Sequence, residues 1–150
     1  MGLIMPAYAE LQISSNFSFL RGVSHPDELV VVAKGLGISA LALTDRNTLA
    51  GTVRAHVAAK EHGIDYIPGC RLDLMCGTSL LVYPTNRPAY ARLTELLTIG
   101  NRRAEKGSCH LYREDVANFA QGQIFVALPE TLSSDLTASL GGLKEQLGAP

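Results

Sequence analysis

The sequence predicts an α/β fold, on three observations. Strand-like and helix-like segments alternate along the chain. The run Ile38-Ser39-Ala40-Leu41-Ala42-Leu43 is apolar but for one serine, too short for a separate helix and suited to a strand buried on both faces. A helical pattern and a second apolar strand over residues 64–68 follow it at once, which makes a βαβ unit. Such units set their chemistry at the C-terminal ends of parallel strands, so Thr44-Asp45-Arg46-Asn47 stands where a functional site belongs.

Each element has its own signal. Residues 8–14 alternate, with Ala9, Leu11 and Ile13 on one side and Glu10, Gln12 and Ser14 on the other, which predicts a first strand. Residues 15–22 form a loop with two aromatics of a buried type, Phe17 and Phe19. Ser24-His25-Pro26-Asp27-Glu28 combines a cap residue, proline in the first turn and two acids at the positive end of the helix dipole. That helix runs to about Leu36 and stops at Gly35 and Gly37. After the central strand, Asn47 or Thr48 can cap a helix over residues 48–62 that carries Leu49, Val53 and Val57 at helical spacing and ends at Gly63. Residues 70–75 are extended and pair with a strand over 78–83 across Cys76-Gly77. Pro88 opens a helix through Leu93, Leu96 and Leu97 to Ile99, closed by Gly100, and 101–109 is a polar loop. A short helix over 114–119, a strand over 123–128 and a weakly helical tail over 131–150, interrupted by Gly141-Gly142, complete the chain.

With 150 residues the default is a single domain, 1–150, in which 130–150 is the least defined part. The chain is 47% hydrophobic and 18% charged, which argues against disorder. A net charge of −1 leaves no global basic field, so any nucleic-acid contact has to be local. Three cysteines without a CxxC pair suit a reduced, cytoplasmic protein. No signal peptide is visible, and no run approaches the roughly 18 apolar residues of a membrane helix.

The residue patterns of familiar catalytic centres are missing. His25, His56, His62 and His110 show neither H-x-H nor H-x3-H spacing and read as solvated helix-end residues, and Cys70 and Cys76 as small hydrophobes. Gly35-Leu36-Gly37 ends a helix and is no dinucleotide fingerprint; no P-loop, paired carboxylates or serine triad is present. No catalytic residue, metal ligand set or cofactor is expected. The densest basic stretch is Arg92, Arg102, Arg103 and Lys106 with Arg113 nearby. Arg102, Arg103 and Lys106 are candidate phosphate contacts, against the plainer reading of a solvated helix end.

Two stretches carry a family resemblance: Tyr8-Ala-Glu-Leu-Gln-Ile-Ser-Ser-Asn-Phe-Ser-Phe-Leu-Arg-Gly-Val-Ser-His-Pro-Asp-Glu-Leu29 and Ala42-Leu-Thr-Asp-Arg-Asn-Thr-Leu-Ala-Gly51. Together they resemble the N-terminal PHP (polymerase and histidinol phosphatase) domain of bacterial C-family DNA polymerases, in the error-prone, lesion-bypass branch of the alpha subunit. Arg102-Arg103-Ala-Glu-Lys106-Gly-Ser-Cys109-His110-Leu111 is similar to a segment of the same branch, and the likeness covers residues 8 to 129. The resemblance implies a distorted (βα)7 barrel or its N-terminal part, and a piece of a longer polymerase acting in DNA replication and repair of damage.

The resemblance also implies a multi-metal phosphoesterase site, and the matched positions depart from it. Where the family has H-x-H this chain has Gln12-Ile13-Ser14; Asp-Gly is replaced by Arg21-Gly22, and Asp-His by Asp45-Arg46. A glutamate after Pro-Gly-x is Arg71, and a histidine opening the later strand is Ser79. Only Asp45 is retained, and the remaining family ligands would lie beyond residue 150. Arginine cannot coordinate a cation. The matched positions therefore imply a degenerate site in which Asp45 pairs with at least one of Arg21, Arg46 and Arg71, unless those arginines simply face solvent. The expected role is structural or an interaction platform, with the rest of the polymerase chain as partner and DNA reached through the parent protein. The alternatives are a metal-dependent phosphoesterase or 3′–5′ exonuclease, and an independent interaction module.

Overall fold

The structure, a computed structural model, describes residues 7–129 together with 141, 142, 144, 145 and 147. The weakly helical tail expected over 131–150 lies almost wholly outside the described residues. The chain divides into two compact units after Cys70.

The first unit is the βαβ core read from the sequence, extended by one strand. Its elements are β1 (Ala9–Ile13), α1 (Pro26–Gly35), β2 (Ala40–Leu43), α2 (Thr52–His62) and β3 (Asp65–Pro68). The strands form one parallel sheet in the order β1-β2-β3. Central β2 is buried on both faces, as its Ala-Leu-Ala-Leu composition requires. Pro26 and the acids Asp27 and Glu28 start α1, and the Glu28 carboxylate accepts a hydrogen bond from the His25 amide at 2.8 Å. At the other end of α2, Gly63 takes φ +61°, and the Gly63 and Ile64 amides both donate to the Ala59 carbonyl. Val30 and Ala33 of α1, Leu41 and Leu43 of β2, and Ala55, Ala58 and Ala59 of α2 make the core.

Two expectations are corrected here. The second helix starts at Thr52, four residues later than its capping signal, because Asn47 adopts φ +51° and Thr48 Oγ1 bonds the Ala50 amide in a local turn. Its buried face is alanine, while Val53 is 70% exposed and Val57 49% exposed. Alanine lets two helices approach closely, and α2 packs against α1.

The second unit holds β4 (Cys70–Asp73) from Arg71 onward, β5 (Ser79–Pro84), α3 (Arg87–Arg103), α4 (Arg113–Asn118) and β6 (Gln123–Leu128). The strands lie in the order β4-β5-β6, with β5 and β6 antiparallel. The expected hairpin between β4 and β5 is present, closed by a bond from the Leu74 amide to the Thr78 carbonyl at 2.9 Å. Asn86 caps α3 by accepting from the Ala89 amide at 2.9 Å, with Pro88 in the first turn. Ala89, Leu93, Leu96 and Leu97 are its buried stripe.

Gly100 does not end α3 as expected; the helix passes through it to Arg103. A Cβ there would stand 2.6 Å from Cys109 Sγ and 2.7 Å from Leu111 Cδ2, so the glycine serves close packing. The returning chain is tied to the same point by the His110 amide, which donates to the Gly100 carbonyl.

Candidate functional site

Parallel pairing of β1 and β2 brings the C-terminal ends of both strands to one edge of the sheet. Asp45 follows β2 and the loop 15–24 follows β1, so the two meet there. The Thr44 amide donates to the Ile13 carbonyl at 2.8 Å and fixes the junction. Asp45 is buried, 1% exposed. Its Oδ1 accepts from the Ser15 amide at 2.8 Å and from Ser18 Oγ at 2.6 Å. Its Oδ2 accepts from Ser15 Oγ at 2.6 Å. Ser18 Oγ in turn accepts from the Arg46 amide at 3.0 Å, and Ser15 Oγ from the Phe17 amide at 3.2 Å. The Cys70 thiol donates to the Asp45 carbonyl at 3.3 Å.

Serine donors that the sequence did not point to hold the carboxylate that was expected to pair with at least one of Arg21, Arg46 and Arg71. The carboxylate is satisfied by one amide and two hydroxyls from the neighbouring loop, short bonds of the charge-assisted kind. Arg21 joins the loop by its backbone, its amide donating to the Ser18 carbonyl at 2.9 Å, and its side chain is exposed. Arg46 enters this network by its amide, also from an exposed position. Gln12 and Ser14 are exposed, and Gln12 gives its amide to Glu10 Oε1 at 3.0 Å. The alternation expected of β1 is broken by a register shift between Glu10 and Ile13, and Leu11 is exposed with Gln12.

In the second unit, Arg71, Asp73 and Ser79 form a closed polar triangle. Arg71 Nε donates to Asp73 Oδ1 at 2.7 Å and Nη2 to Ser79 Oγ at 3.1 Å. Ser79 Oγ donates to Asp73 Oδ1 at 2.8 Å. Residues two apart on a strand share a face, which places Arg71 beside Asp73 on β4 with Ser79 opposite on β5. Sequence reading found Arg71 and Ser79 and missed Asp73. It likewise missed Ser15 and Ser18, whose signal was their position just past β1, at the same sheet edge as Asp45.

The basic stretch is held by its own unit. Arg103 makes a two-pronged pair with Asp115, at 2.6 and 3.0 Å, and lies 5.0 Å over the Tyr112 ring. The guanidinium bonded to Asp115 holds its carboxyl below the usual aspartate range, outweighing partial burial. Arg102 and Lys106 are exposed.

Metal coordination needs several deprotonated donors converging on one point. Among the described residues no group of three or more His, Cys, Asp and Glu could hold a metal ion. Both oxygens of Asp45 already accept hydrogen bonds, and positions 21, 46 and 71 carry arginine, which has no lone pair to give. These residues do not fit the family's metals. No helix of the described residues is long and apolar enough to cross a membrane.

Comparison with known proteins agrees with this architecture. A sequence model of the PHP domain matches residues 10–143. An error-prone DNA polymerase of Caulobacter vibrioides is 51% identical over 145 residues, covering 93% of this chain and 13% of that protein. Error-prone DNA polymerase 2 of Agrobacterium fabrum is 48% identical over 142 residues, covering 95% of this chain and 13% of that protein. The chain thus spans about one eighth of the length of the curated relatives it matches. Among solved structures, one assigned as a metal-dependent phosphoesterase of Bifidobacterium adolescentis superposes with a TM-score of 0.71 at 14% identity, covering 94% of this chain and 75% of that one. An amidohydrolase from Chromobacterium violaceum gives 0.69 at 17% identity, covering 95% and 75%. At these identities the structural likeness speaks for the fold alone. The family match over most of the sequence settles membership: the chain belongs to the PHP domain family.

Proposed function

We propose that this chain is the PHP segment of an error-prone DNA polymerase acting in replication and lesion bypass. In this reading residues 1–150 form one PHP-like domain of a cytoplasmic protein. The segment is a metal-free structural or interaction platform, and nucleotide transfer is carried by another part of the polypeptide. The observation that carries the reading is the identity of 51% over 145 residues to an error-prone polymerase. The metal-free part is supported by Asp45, the one matched ligand position that keeps an acid, whose carboxylate is given over to Ser15 and Ser18.

Two measurements test the two parts separately. Elemental analysis of the purified, dialysed protein is expected to find well under one zinc or manganese ion per chain, and incubation with a 3′-recessed DNA duplex to leave the 3′ ends intact. One or more ions per chain, removable by chelator and needed for hydrolysis, would favour the phosphoesterase or exonuclease reading. Primer extension across a damaged template by the product of the gene carrying this segment tests the polymerase part, and its failure with active controls removes it.

A further inference from the structure

We draw no further inference here: the strongest candidate, the side-chain cluster of Cys76, Thr78 and Arg113 where the hairpin between β4 and β5 meets the start of α4, rests on one exposed cysteine, and no second observation among the described residues points to a ligand for it.

Discussion

Asp45 shows how a neighbouring loop can satisfy a buried carboxylate. A buried carboxylate must be paired, coordinated or hydrogen-bonded, and here three donors within 2.6–2.8 Å meet the need without a second formal charge. Removing the carboxylate leaves the Ser15 amide and two hydroxyls buried around a void. A hydrogen bond to a charged group is worth about 1.5–3 kcal/mol, so Asp45→Ala is expected to cost at least that much in unfolding free energy. Arg21→Ala should stay within about 0.5 kcal/mol, because the side chain is exposed and absent from the network. Urea denaturation of both variants checks the pair. Equal losses at Asp45 and Arg21 would restore an ion-pair account and remove the serine one. The serines were hard to find in the sequence for a physical reason. A hydroxyl binds equally well to water, backbone or carboxylate, so its partner is decided only when the fold sets a loop beside a strand end.

At the scale of elements, signals that act within one turn of chain were legible, and signals that depend on a neighbour were not. Pro26 with two acids marked α1, Pro88 marked the first turn of α3, and the bounds of β6 were read without error. The buried face of α2 was misread because valine outranks alanine in hydrophobicity, yet close packing against α1 selects the smaller side chain. Gly100 was misread because glycine usually ends a helix, while here Cys109 and Leu111 occupy the space a side chain would need. Two opposite effects compete at that position. Alanine gains about 1 kcal/mol in helix propensity over glycine, and overpacking a filled site costs about 1–3 kcal/mol. The contacts at 2.6 and 2.7 Å involve a fully buried leucine and a thiol tied to the returning chain, so strain is expected to win. Gly100→Ala should lower the thermal midpoint. Gly35→Ala, where a Cβ meets nothing within 4 Å, should raise it or leave it unchanged. A higher midpoint for Gly100→Ala would mean that the packing there gives way easily.

At the scale of the whole molecule, the α/β class and the parallel sheet of the first unit followed from a few apolar runs, because strands buried on both faces leave a continuous hydrophobic imprint. What no local pattern could reveal is how much apolar surface stays uncovered. Val23, Leu20, Phe19, Leu36 and Val53 are each at least 70% exposed, although the composition is that of an ordinary globular chain. A net charge of −1 supplies little electrostatic repulsion to keep such surfaces apart. The 150-residue chain studied by itself should therefore associate most strongly near its isoelectric point of about 6.4. Above that pH the net charge is negative and below it positive, so repulsion returns on either side. Light scattering against pH is expected to peak close to the isoelectric point, with circular dichroism unchanged across the peak to separate association of folded chains from unfolding. Added salt should broaden the peak, since it screens the repulsion that protects the flanks and leaves apolar attraction in place. Scattering that stays flat from acid to base would mean that these side chains do not drive association.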